Sequence, residues 1–349
     1  MTLPAKWTKL LETETLQRSS QIVSAVGNQV YVFGGELRPR EPRDNDVHVI
    51  SLDTGKWCIW RGNQKSNRMT SATPTISSQS ATATSPSPRV GTAASTLNGK
   101  IYLFSGRGGV AMAPIEERGS LWEFDPSKST WTAISLADAS SDVFPAARSY
   151  HCTASDGVDT IYIHAGCPEK GRLSDLWAFS LARREWTELA SAPDPARGGT
   201  SIAFVDGKLY RMNGFDGKSE QGGCVDIYSP QTNSWNSFPF TADGKGGPTP
   251  RSVSVLLPVV KDGRTYLITL FGERDPSSLG HQGAGKMLGD VWAFDTASQT
   301  WSVIRVDGET PDPRGWFDAD VVGQNTIVVH GGLGESNNRL GDVWKLELS

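Results

Sequence analysis

The stretch Arg148-Ser149-Tyr150-His151-Cys152-Thr153-Ala154-Ser155-Asp156-Gly157-Val158-Asp159-Thr160-Ile161-Tyr162-Ile163-His164-Ala165-Gly166 decides how the chain is read. An arginine opens it, an extended run follows, Asp156-Gly157 breaks that run, and a second run rich in β-branched and aromatic residues ends at a glycine. Asp-Gly between two such runs is a hairpin signal, because both residues tolerate positive φ. Leu176-Trp177-Ala178-Phe179 and a closing Trp186 complete the unit. The same order recurs on both sides of it. Opening arginines stand at Arg18, Arg89, Arg197, Arg251 and Arg314, and second runs end at Gly34-Gly35, Ser105-Gly106, Asn213-Gly214, Phe271-Gly272 and Gly331-Gly332. Third runs begin near Val47, Leu121, Val225, Val291 and Val343, and Trp57, Trp131, Trp235 and Trp301 close their units.

The last unit reaches Ser349 without a closing tryptophan, whereas Trp7 stands unused at the other end. The N-terminal segment is therefore expected to complete it. A period of roughly 50 residues or somewhat more resembles the kelch motif, and the resemblance covers nearly the whole chain. It implies an all-β fold, a six-bladed kelch β-propeller of residues 1–349 in one domain, its ring closed by the N-terminal strand. The residues support this independently. Runs 29–33, 100–104 and 326–329 are β-branched and aromatic, as strands buried on both faces require, and no long segment has a helical period. Two β-sandwiches would also fit 349 residues but leave Trp7 without a role.

A formal net charge of −4 gives no electrostatic case for nucleic acid or an anionic membrane. A small-molecule substrate fits better, and a homodimer is left open. No run approaches the ~20 apolar residues of a membrane span, and the first residues lack a signal-peptide core, so a cytoplasmic protein is expected. Cys58, Cys152, Cys167 and Cys224 are far apart and suggest reduced thiols rather than a disulfide frame or thiolate zinc.

Strand parity sorts the loops. In a four-stranded blade the loop between strands two and three shares a face with the connection to the next blade. Loops 36–45, 107–119, 167–174, 215–223, 273–289 and 333–340 thus lie together, and they are the chemically varied set. A Ser/Thr-rich insertion, 61–88, falls on the same face, where it is either a lid or a tolerated surface loop.

Arg107 directly follows Ser105-Gly106, which places it near the axis, where its fork of donors suits a sulfate, phosphate or carboxylate. The alternative is an ion pair with Glu36, Glu116 or Glu117. Arg172 is a second candidate, with Asp175 or Glu169 as structural partners. Glu273 holds the equivalent place in the fifth unit, and His281 follows in the same loop. Carboxylate oxygen plus one imidazole suits Fe(II) or Mn(II) with open positions, although such residues are also common in plain polar loops.

Gly272-Glu273 with Leu279-Gly280-His281-Gln282-Gly283-Ala284-Gly285, Pro313-Arg314-Gly315-Trp316, His330-Gly331-Gly332, and Gly171-Arg172-Leu173-Ser174-Asp175-Leu176-Trp177 resemble the plant specifier proteins. These are the nitrile-specifier, epithiospecifier and thiocyanate-forming proteins, which act with ferrous iron on glucosinolate aglycones released by myrosinase. The resemblance implies a lyase-type, Fe(II)-dependent protein with Glu273 and His281 as metal ligands and catalytic residues. It makes Arg107 the catalytic anion-gripping arginine, helped by Arg172, with Trp316 and Phe215 flanking the substrate side chain. It also implies nitrile formation with loss of sulfate and sulfur. The family spaces Glu, Asp and His four residues apart; here Ser277 stands at the aspartate position, so Asp275 is the available metal ligand. The alternative is a non-catalytic kelch propeller that binds a protein partner over its loop face. A copper radical oxidase needs Tyr and His ligands that this sequence places mostly inside strands.

Overall fold

The computed structural model describes residues 3–61 and 84–348, His281 by its backbone alone. Most of the insertion 61–88, and with it the lid reading, lies outside the described residues. Six sheets carry four successive antiparallel strands each, and among the described residues the only helical segments are two single 3₁₀ turns, Glu14–Leu16 and Gly280–Gln282. The innermost strands are Ser19–Val26, Ala93–Leu97, Cys152–Ser155, Ser201–Val205, Val255–Lys261 and Asp318–Val322. Each touches the next, and the last touches the first, which closes the propeller. The sixth blade is Asp318–Val322, Thr326–His330, Asp342–Leu348 and then Ala5–Glu12, with Trp7 opposite Leu346. Closure by the N-terminal strand is thus observed. No helix among the described residues is long and apolar enough to cross a membrane.

Two residues after each opening arginine the chain forms a hydrogen-bonded hoop around the axis. Gly91 N–H donates to Ser20 O (2.9 Å), Tyr150 to Gly91 (2.7 Å), Gly199 to Tyr150 (2.8 Å), Val253 to Gly199 (2.9 Å), Trp316 to Val253 (3.2 Å) and Ser20 to Trp316 (2.7 Å). All these residues have left-handed φ, between 47° and 60°. For Val253 and the two aromatics that conformation costs free energy, and the closed hoop overrides the local preference.

The glycine pairs have a matching reason. The second residue of each pair has φ between 84° and 109°, and at Gly35, Gly166, Gly272 and Gly332 an added Cβ would lie within 2.8 Å of the backbone oxygen of the residue after its own blade's opening arginine. The first residue is also left-handed, even where it is Ser105, Ala165, Asn213 or Phe271. The fifth blade's second strand therefore runs Arg264–Leu270 and stops one residue short of the expected end at Phe271.

The opening arginines are buried. Each donates from Nη1 to the carbonyl of the first residue of its own blade's pair, as Arg314 does to Gly331 O (3.0 Å) and Arg251 to Phe271 O (3.0 Å). Most also grip a carboxylate that accepts from an indole. Arg148 binds Asp175 with both terminal nitrogens (2.6 and 2.7 Å), and Trp177 Nε1 donates to the same carboxylate (2.8 Å). Arg251–Asp290–Trp292, Arg314–Asp342–Trp344 and Arg89–Glu117–Trp122 repeat the arrangement. Blade four departs from it. Cys224 stands where the aspartate would be and Asp226 where the tryptophan would be, and Asp226 binds Arg211 (2.6 Å) instead of Arg197.

The closing tryptophans wedge between neighbouring blades. Trp131 packs on Phe33 of the preceding blade (5.1 Å between centroids), Trp186 on Phe104 (5.6 Å), Trp301 on Phe240 (5.3 Å) and Trp7 on Phe271 (5.8 Å). Deleting such a ring typically costs about 3–5 kcal/mol, so the apolar layer between blades holds the loop face rigid.

Candidate functional site

The residue after each glycine pair pairs by backbone with the residue after an opening arginine, as in Ser19–Glu36, Val90–Arg107, Ser149–Cys167, Gly198–Phe215, Ser252–Glu273 and Gly315–Leu333. All six doublets stay within one blade's repeat unit, so the same local geometry is repeated around the axis. Glu36, Arg107, Cys167, Phe215, Glu273 and Leu333 accordingly ring one cavity of about 400 Å³ on the loop face. Arg107 of blade two and Glu273 of blade five are three blades apart, hence on opposite walls. The hoop forms the floor, with Tyr150 and Trp316 meeting edge to face at 5.1 Å. Below it a second cavity of about 310 Å³ follows the axis between the innermost strands.

On the cationic wall, Arg107 donates Nε to Ser149 Oγ (3.1 Å), Nη1 to Met112 O (3.0 Å) and Nη2 to Pro168 O (3.0 Å). All three acceptors are neutral. The carboxylates that could have neutralised it are engaged elsewhere: Glu117 with Arg89, Glu36 with Arg339, and Glu116 with the Arg118 backbone N–H. Arg172 lies over the Phe215 ring (5.9 Å) and donates to Gly171 O (2.9 Å), while its buried Nε has no partner. Asp175 is taken by Arg148. Two guanidinium groups thus face one cavity without a bound carboxylate, an arrangement suited to an anion. Cys167 lies between them, its thiol held above the ordinary range by burial. A Cβ on Gly198 would come within 2.5 Å of its sulfur.

The opposite wall is acidic. Glu273 is 5% exposed. It accepts from Gly285 N–H (2.6 Å) and from Trp316 Nε1 (3.1 Å). Burial raises its pKa, and these two hydrogen bonds only partly offset that. Glu220 lines the same wall from blade four, with Oε1 buried and unpartnered. Burial raises its pKa as well, and the charges of Glu273 and Asp275 add to the rise. Between the walls, Glu36 is held by Arg339 Nη2 (2.9 Å), itself fixed by Ser19 Oγ (3.2 Å).

The cavity therefore gathers Arg107, Arg172, Phe215, Glu273 and Trp316, residues singled out in the sequence. It does not gather Asp275, whose side chain is 72% exposed and paired with Arg274 Nε (3.1 Å). Ser277 is on the lining and accepts from Leu279 N–H (3.2 Å). His281 sits in the turn Gly280–Gln282, and its side chain lies outside the described residues. Among the described residues no three His, Cys, Asp or Glu side chains are grouped to hold a metal ion.

Sequence reasoning missed Glu220 and Tyr150. Tyr150 was available, since it stands two residues after Arg148 as Trp316 does after Arg314. Glu220 carried no repeat signal, because its orientation depends on the turn that Asp216 builds by accepting from Lys218 N–H (2.7 Å) and Ser219 N–H (2.8 Å).

The KLHDC2/KLHL20/DRC7 Kelch-repeats domain matches residues 20–272, more than half of the chain. The chain belongs to the kelch-repeat family. This kelch protein is 27% identical to the N-(sulfonatooxy)prop-2-enimidothioate sulfolyase of Thlaspi arvense, over 98% of its own length and 97% of that protein. It is 27% identical to Adagio-like protein 3 of Oryza sativa subsp. japonica over 88% of its length, but only 45% of that relative is covered. Kelch domain-containing protein 10 of Rattus norvegicus matches at 27% over 62% of the chain and 48% of that protein. The kelch chain thus spans nearly all of the first relative and less than half of the other two.

Proposed function

We propose that this kelch propeller is a nitrile-specifier-like protein that uses Fe(II) on glucosinolate aglycones or a related sulfur-containing small molecule. The observation that carries the reading is the two-walled cavity, in which guanidinium groups without carboxylates face Glu273 and Glu220. Near full-length similarity to a protein named as a sulfolyase supports it.

In this reading Arg107 and Arg172 bind the sulfate ester. Arg107 is pre-aimed by its three neutral acceptors, so little side-chain freedom is lost on binding. Phe215 and Trp316 flank the variable side chain and exclude water from it. The donor set suits a hard divalent cation: Glu273 keeps unused lone pairs, and the orphaned buried Oε1 of Glu220 is an oxygen without a partner. Glu273, with Glu220 or His281, would hold Fe(II), which supplies a Lewis-acidic centre with affinity for sulfur. For the thiohydroximate O-sulfate dianion, the N–O bond breaks with its electron pair leaving on sulfate. The C–S bonding pair becomes the third C–N bond, and sulfur departs as the neutral atom. The products are nitrile, sulfur and sulfate, whose charges sum to that of the reactant. The guanidinium groups stabilise the charge gathering on sulfate, where a preorganised donor contributes about 3–4 kcal/mol.

The experiment is to release an aglycone with myrosinase in the presence of the protein, with and without Fe(II), and to quantify products by gas chromatography. Iron-dependent nitrile is expected. Isothiocyanate alone would refute the reading. A second reading, a partner-binding propeller, is favoured by Leu37, Val110 and Leu279, large exposed apolar residues in the segments that follow the glycine pairs. It predicts that polar substitutions at these three positions abolish partner capture and leave any aglycone chemistry unchanged.

A further inference from the structure

We propose that Glu220 supplies the second carboxylate of a divalent-cation site centred on Glu273, the role that the resemblance to the specifier proteins gave to Asp275. The inference rests on the metal-binding part of the reading above and adds a ligand from a different blade.

Three observations converge on it. First, Asp275 is turned away: it is largely exposed, salt-bridged to Arg274 and absent from the cavity lining. Second, Glu220 is turned inward. Its backbone pairs with Phe215, the residue after blade four's glycine pair, and Gln221 N–H donates to Gly214 O (2.7 Å), so the loop folds back over the cavity mouth. The Asp216-capped turn locks that course, and Gln221 Nε2 fastens it by donating to Asp216 Oδ2 (3.0 Å). Third, Oε1 of Glu220 is buried with no hydrogen-bond partner on a wall whose other carboxylate is Glu273.

A buried, unpartnered carboxylate oxygen beside a second carboxylate is unfavourable unless something positive completes the pair. The guanidinium groups of the cavity do not, since none is ion-paired with Glu220 or Glu273: Arg107 points into its three neutral acceptors on the opposite wall, Arg172 lies over the Phe215 ring and donates to Gly171 O, and Arg339 is engaged by Glu36. Two carboxylates with hard oxygens, offered from separate rigid loops, suit a small divalent cation. Serine at 277 is then tolerable, because the missing acid is provided across the blade boundary.

The test uses Mn(II) as probe. Titration of the full chain is followed by the electron paramagnetic resonance signal of free aqueous Mn(II), and repeated with Fe(II) under anaerobic conditions by dialysis and metal analysis. Glu220→Gln and Glu273→Gln should each weaken Mn(II) binding by about tenfold or more, and Asp275→Asn should stay within about twofold of wild type. Glu220→Asp, which keeps the charge, should recover part of the loss. Circular dichroism and thermal midpoints of each variant separate loss of ligand from loss of fold. Loss in Glu273→Gln with unchanged binding in Glu220→Gln overturns this inference and leaves the metal reading standing. A wild-type chain that binds neither ion overturns both.

Discussion

Gly272→Ala isolates what the glycine pairs do, and Gly263→Ala is its internal control. Both glycines have left-handed φ, 104° at Gly272 and 72° at Gly263. They differ in surroundings. A Cβ at Gly263 meets nothing within 4 Å, whereas one at Gly272 lies 2.8 Å from Ser252 O and 3.0 Å from Ser254 Cβ. Alanine at Gly263 carries only the backbone term, about 1 kcal/mol for a left-handed L-residue. At Gly272 the φ lies beyond the left-handed helical well, and the clash is with the backbone of Ser252, which its pairing with Glu273 holds in place. Strain of about 1–3 kcal/mol and overpacking of about 1–3 kcal/mol add there. The two variants should therefore differ by about 1–5 kcal/mol, or a gap of roughly 2–10 °C in thermal midpoint at roughly 2 °C per kcal/mol for a large domain. Differential scanning calorimetry and urea denaturation of both variants measure this. Because Gly272 N–H holds Arg314 O (2.8 Å) and immediately precedes Glu273, the same variant should also weaken Mn(II) binding. Equal midpoints for the two variants would refute the claim that close approach, rather than turn conformation, dictates the pair.

Further expectations concern charge. Asp342→Ala leaves Arg314 buried without its carboxylate and should cost about 3–5 kcal/mol, read from denaturant midpoints; a loss below about 1 kcal/mol would show that the carbonyl of Gly331 suffices. Asp318 and Asp320, which accept from Val23 and Ala25 N–H between blades six and one, are pushed up to about 7 and about 6 by burial. A carboxyl raised on folding stabilises the fold below its unfolded pKa, and that contribution is lost as pH rises through the folded value. Wild type should thus lose stability between pH ~4 and ~7 relative to Asp318→Asn, and parallel pH profiles of the two would refute it. Arg107→Met should weaken binding of a sulfate-ester ligand by roughly 10–100-fold, the loss of a charge-assisted contact, in a calorimetric titration with the thermal midpoint little changed. Equal affinity would remove Arg107 from the anion wall.

Much of this was legible in the sequence because the repeat places side chains by position. Arg107, Cys167, Phe215 and Glu273 ring the cavity since each follows a glycine pair, and Trp7 completes the last blade since its unit lacked a tryptophan. What the sequence could not settle was direction. Asp275 is close to Glu273 along the chain, but its φ of 51° and the neighbouring Arg274 turn it to solvent. Glu220 lies 53 residues from Glu273 by number and lines the same cavity only because adjacent blades fold their loops toward a shared axis. The opening arginines read as punctuation; that they bind a carbonyl, a carboxylate and indirectly an indole needed side-chain geometry.

The hydrogen-bonded hoop has a consequence for what the cavity can accept. Its opposed walls stand on a backbone circumference that is fixed once the number of blades is fixed, so the span from Arg107 to Glu273, each tied by backbone pairing to the residue after an opening arginine, is a property of the ring and not of the loops. Changes in residues 108–119 or 274–289 would alter the lining that flanks a bound molecule without altering the distance between Arg107 and Glu273. A family diversifying on such a frame would exchange side-chain preferences readily while keeping one molecular length, as a calliper locked at one opening measures objects of any texture.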